Sequence, residues 1–154
     1  MTWAERLLRL TAGGAPPATD VARFHAMTVA GARSLARCAE LAPQPSVADE
    51  LRRLCEIETA AAGRLAEGFR AMGIPAPPAP TPPPAANGQS HWARLVQVLE
   101  RQREIRKQLF EAAIAHAETH PELAVLLGQL SREKEALIEQ LRDLIARADP
   151  QAID

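Results

Sequence analysis

The sequence predicts an all-α fold, an antiparallel four-helix bundle with a long proline-rich crossover between its second and third helices. Three observations predict it. Apolar residues recur at steps of three and four along most of the chain, no stretch sustains the alternation of a strand, and proline and glycine cut the chain into segments of helical length. Stripes held over about four heptads define narrow seams of the kind that pack at about 20°.

Residues 1–16 form a short leader. Trp3, Leu7, Leu8 and Leu10 beside Arg6 and Arg9 suit about two amphipathic turns, ended by Gly13, Gly14 and Pro16. So short a helix is marginal alone and needs a surface: its own bundle, a protein partner, a second subunit or a membrane. The bundle occupies residues 17–154. Its first helix is expected at about 20–42, capped by Thr19 or Asp20, with Val21, Phe24, Thr28, Gly31, Leu35 and Cys38 on one face. The second, at about 46–73, takes Ser46 as cap and Gly73 as stop and carries Val47, Leu51, Leu54, Glu58, Ala61, Leu65, Gly68 and Met72. The third, at about 90–119, begins at Ser90 and presents Leu95, Leu99, Gln102, Ile105, Leu109, Ala113 and His116. The fourth, at about 121–148, places Pro121 in its first turn and presents Leu123, Leu127, Leu130, Lys134, Leu137, Leu141, Leu144 and Ala148.

Short breaks near Pro43 and Pro121 make two antiparallel hairpins, whereas residues 74–89 are a different connection. Seven of the ten residues from Pro75 to Pro84 are proline. At roughly 3.1 Å per residue such a segment reaches about 50 Å, more than the roughly 40 Å of a long helix, so the third helix is free to run parallel to the second.

Composition excludes several function classes. A net charge of -1 and an aromatic content of 3% with no tyrosine leave little for phosphate-backbone binding or base stacking. Cys38 and Cys55, both inside apolar patterns, read as core residues in a reducing compartment, and no apolar run reaches the roughly 20 residues of a membrane span. The expected location is cytoplasmic. No phosphate-loop, dinucleotide or nucleophile-elbow motif occurs.

Thr28, Glu58, Gln102 and Lys134 each interrupt the apolar stripe of a different helix near its middle. Bundles place cofactor ligands where inward polar side chains share one level, so these four form the candidate site, expected within about 5 Å of the midplane.

The segments Ala30-Gly31-Ala32-Arg33-Ser34-Leu35, Leu54-Cys55-Glu56-Ile57-Glu58 continuing to Leu65 and Met72-Gly73, and Leu130 through Leu141, with the proline-rich crossover, resemble the ferritin-like superfamily, in particular its small bacterial members. The resemblance spans about residues 20–148. It implies the positions at which active members hold two metal ions, with a Glu from each of two helices and a Glu-x-x-His from each of the others. Here those positions carry Thr28, Glu58 with Ala61, Gln102, and Lys134 with Leu137. Only Glu58 keeps a ligand-type side chain, and an ammonium at 134 repels a metal. The expectation is a buried Glu58–Lys134 ion pair, completed by Gln102 and Thr28, at the level where the relatives hold metal.

His116 and His120, four residues apart, are weak metal candidates, with Glu111, Glu118 and His25 the nearest further ligands; a helix C-terminus makes capping the simpler role. The mixed run Glu100-Arg101-Gln102-Arg103-Glu104 with Arg106 and Lys107 reads as a solvated face. The functional expectation is a non-catalytic structural or protein-interaction module without cofactor, binding a protein or a second copy of itself. Two alternatives compete with it. One is a ferritin-like metal-binding protein or oxidoreductase using Glu56, Glu58, Glu104, Glu133 or Glu135; the other is a bundle holding an apolar ligand or organic cofactor in its core.

Overall fold

The computed structural model describes residues 16–71, 73 and 89–148. Among these the fold is all-helical with no strand: α1 Pro17–Glu40, α2 Pro45–Ala71, α3 His91–His116 and α4 Pro121–Ala148. The leader, Met72, the crossover residues 74–88 and the tail from 149 lie outside the described residues.

Proline sets three of the four starts. Its fixed φ and missing N–H suit the first helical position, where the donor would be orphaned anyway. α1 therefore begins at Pro17 rather than near Asp20, and α2 at Pro45 rather than after Ser46. Neither Asp20 nor Ser46 is the expected cap, since each lies inside a first turn. α3 has the expected cap, with the Ser90 hydroxyl accepting from the Ala93 N–H at 3.1 Å. It stops at His116, three residues short of the expected end, where the Ala117 N–H turns to the Ile114 carbonyl. Gly73 adopts φ of 71°, the left-handed conformation that ends a helix and that glycine takes without strain.

α1 packs along α2, α3 packs along α4, and the two pairs join where α1 meets α3 and α2 meets α4. Asp20 and Arg23 of α1 meet His116 and Gln108 of α3. Glu50, Glu58 and Arg64 of α2 meet Arg147, Lys134 and Gln129 of α4. The Cys55 thiol of α2 donates to the Ala32 carbonyl of α1 at 3.2 Å, and the Ser131 hydroxyl of α4 to the Arg106 carbonyl of α3 at 3.4 Å.

The core falls into two apolar clusters. One contains Leu35, Leu51, Leu54, Leu95, Leu137 and Leu141, and the other Phe24, Leu65, Phe69, Leu109, Leu127 and Leu130. The expected seams are buried with four exceptions among the described positions: Gly68, Ala113, Leu123 and Ala148 are only half-buried, while Phe69 and Ala112 turn inward. A seam of strict three-four steps drifts around a straight helix, so its ends rotate away from the core.

Both cysteines are free, Cys38 buried and Cys55 half-buried. Burial pushes the Cys38 thiol from its ordinary 9.0 up to about 11, against the weaker opposing pull of Arg94. An unfolded chain therefore releases this proton at a lower pH than the folded one. Stability tied to Cys38 is intact below pH 9.0 and falls as pH rises toward about 11. At about 1.4 kcal/mol per pH unit the loss has an upper bound of roughly 3 kcal/mol. Urea denaturation of the Cys38→Ala variant across this range should show a correspondingly flatter pH dependence than the parent chain.

Candidate functional site

Between the two apolar clusters lies a polar level. Thr28 of α1, Glu58 of α2, Gln102 of α3 and Lys134 of α4 are each at most 3% exposed. The Lys134 ammonium donates to Oε1 of Glu58, and the Gln102 Nε2 donates to its Oε2 at 3.3 Å. Thr28 is turned the other way, since its hydroxyl donates to the Phe24 carbonyl one turn back at 2.7 Å. That bond satisfies the hydroxyl inside its own helix, so Thr28 borders the ion pair without bonding to it.

Burial pushes the Lys134 ammonium below its ordinary value, while Glu58, through its charge and its hydrogen bond, and Glu133 hold it up. The carboxylate that the lysine compensates thus opposes the loss of the lysine's proton. The orientation of Gln102 follows from the same charge: with its amide reversed, Oε1 would face the Glu58 carboxylate. As placed, Oε1 is buried without a hydrogen-bond partner among the described residues.

α1 contributes an absence of side chain. A Cβ on Gly31 would stand 2.8 Å from Gln102 Nε2 and 2.9 Å from Glu58 Oε2. A side chain there would make the ends of Gln102 and Glu58 shift, so glycine suits the close approach of α1 to this level. On the opposite side, a cavity of about 10 Å³ bordered by Thr28, Glu58, Leu130 and Lys134 has room for about one water. It is far too small for an organic cofactor.

A second buried polar pair was not anticipated. Asp20 and His116 are 1% and 4% exposed, with His116 Nε2 2.7 Å from Asp20 Oδ2; Arg23 donates to Oδ1 at 3.1 Å. α3 ends at His116, four residues before His120, so the two do not share one helical face; His116 stands in the last turn of α3, as expected, and is bonded there to a carboxylate on α1. His120 is exposed and bonded to the Thr119 hydroxyl at 3.0 Å, with its ring edge-on to His116. A signal was present in the sequence, because Asp20, Phe24 and Thr28 are spaced by four and share one stripe.

The carboxylates of the alternative metal reading do not converge. Glu56, Glu104, Glu133 and Glu135 are all exposed, and the last three are engaged by Gln108, Arg64 and Arg106 respectively. Glu111 and Glu118 are exposed, and His25 is half-buried against Phe69. Among the described residues no group of three His, Cys, Asp or Glu side chains converges to hold a metal ion, and no helix is long and apolar enough to cross a membrane. The charged run of α3 is exposed except for the buried Gln102 and the half-buried Arg106. No protein-family model, curated protein or solved structure matches the chain.

Removing one member of the central pair strands a charge in the core. Glu58→Leu or Lys134→Leu alone should cost about 3–5 kcal/mol, while the double variant should lie within about 1 kcal/mol of the parent or above it. Urea denaturation of all four proteins gives the coupling directly. The glycines give a second contrast. Gly63 of α2 has nothing within 4 Å of an added Cβ, so Gly63→Ala should gain about 0.5–1 kcal/mol. Gly31→Ala should forfeit that gain and lower stability by about 1–2 kcal/mol through overpacking of Gln102 and Glu58.

Proposed function

We propose that this chain is a non-catalytic bundle of ferritin-like topology, a metal-free structural or protein-interaction module of the cytoplasm, with the Glu58–Lys134 pair at the level where the superfamily holds two metals. The opposed numbering of contacts supports an antiparallel arrangement of neighbouring helices: Val21 lies beside Gly68 and Ala32 beside Cys55 for α1 and α2, Asp20 meets His116 and Arg23 meets Gln108 for α1 and α3, and Glu50 meets Arg147 and Glu58 meets Lys134 for α2 and α4. In that arrangement α2 and α3 both run opposite to α1. They share a direction, and residues 74–88 then carry the chain the length of the bundle, the long crossover of ferritin-like folds.

One observation carries the functional reading: the buried level offers a single carboxylate, and both of its oxygens already accept hydrogen bonds, from Lys134 and Gln102. A di-metal site needs four carboxylates and two imidazoles at this level. An ammonium in their place supplies the positive charge that metal supplies in the relatives. The cavity beside the pair holds about one water, and the larger groove of about 270 Å³ at this level, bordered by Met27, Gly31, Gln102 and Ile105, opens on the outside of α1 and α3, which favours a protein partner or second copy over a cofactor in the core.

Protein purified without chelators should carry iron, manganese and zinc well below one atom per chain by elemental analysis, and show no absorbance beyond that of its tryptophans. Stoichiometric metal or a chromophore would overturn the reading. Light scattering on the same sample reports self-association.

A further inference from the structure

Six large apolar side chains are exposed among the described residues, and the three most exposed, Phe110 at 58%, Ile114 at 61% and Val125 at 58%, gather at one end of the helices. Phe110 and Ile114 are one turn apart on α3, so they share a face. The bond from Ser131 to the Arg106 carbonyl sets the register of α4 against α3. It places Phe110 near the level of Gly128, which leaves open space where a side chain would stand. Val125 lies one turn before that glycine on α4.

The chain also enters the fold at this end. α1 starts at Pro17, and its first turns are bonded to the last turns of α3 through Asp20–His116 and Arg23–Gln108. We propose that the leader is the occupant of this patch, with Trp3, Leu7 and Leu10 laid against Phe110, Ile114 and Val125. Spacings of four and three put those residues on one side of a two-turn helix. Residues 11–16 reach about 20 Å, roughly two helix diameters, which is enough to pass from the start of α1 around the end of α3.

Size and charge separate this occupant from the others. Three side chains make a patch on the order of 300 Å², well short of the roughly 800 Å² per partner of a stable protein interface and matched to a two-turn segment. Along the rest of the α3–α4 groove Arg103, Arg106, Arg132 and Arg142 outnumber Glu135 and Glu139. A second copy laid along the whole groove about a twofold axis parallel to the helices therefore sets arginines against arginines. The crossover sequence suits the patch less: residues 74–88 contain Ile74 as their one large apolar side chain, and a polyproline segment of that length reaches about 47 Å, little more than the roughly 39 Å length of α3.

Trp3 and Trp92 are the two tryptophans, so the Trp92→Phe variant of the full chain reports on Trp3 alone. The proposal expects Trp3 emission shifted to the blue of its value in the urea-unfolded chain, unchanged on dilution, and returned toward that value by Ile114→Asp with helical circular dichroism preserved. Trp3 emission equal to that of the unfolded chain would overturn it. So would a blue shift that ignores Ile114→Asp, which places the leader or the patch with another occupant, and one that vanishes on dilution, which assigns the patch to a second copy.

Discussion

A carboxylate sits in the middle of this protein's core, and the rest of the arrangement answers its charge. Glu58 leaves water only because α4 brings an ammonium to one oxygen and α3 brings an amide N–H to the other. α1 contributes by having no side chain at Gly31. One group thus constrains all four helices. Sliding α4 by a turn would carry Lys134 about 5.4 Å along the axis and strand two charges in an apolar interior, whereas the leucines on either side could repack against equivalent neighbours. The apolar clusters supply the drive to fold, and the polar level specifies the register in which they do so.

The two clusters and the level between them also account for the location of the second polar pair. Asp20 and His116 lie beyond the Phe24 cluster, at the end where α1 starts and α3 stops. Helix ends expose unpaired N–H and carbonyl groups, and a carboxylate near a helix start with an imidazole at a helix end suits both dipoles. Together with Arg23, the pair ties the start of α1 to the end of α3 at the place where the leader joins.

The helices are legible because their stripes are long and proline marks three of their four starts. Pro121 marks the start of α4, and the same rule places the starts of α1 and α2 at Pro17 and Pro45, where Thr19, Asp20 and Ser46 compete in the sequence as caps. The polar level was legible for a related reason: a single polar residue in an otherwise apolar stripe stands out. Which of its members touch was less so. Thr28 and Gln102 look equivalent in sequence, yet a hydroxyl on a helix can satisfy itself on the carbonyl one turn back, while a longer amide reaches across to Glu58. The need for glycine at position 31 depends on an interhelical distance that no single stripe encodes. Asp20 and His116 were hidden by their position, since polar residues near helix ends are so often caps.

The chain has two lysines, Lys107 and Lys134, the first exposed and the second buried. Selective nitrogen labelling of lysine therefore gives a side-chain NMR spectrum of two signals. At neutral pH the account predicts an ammonium signal from Lys134 whose protons exchange slowly with water and whose protection disappears in Glu58→Gln. Two ammonium signals that both exchange at the rate of an exposed lysine, or an unchanged Lys134 signal in Glu58→Gln, would contradict the buried pair on which the architecture depends.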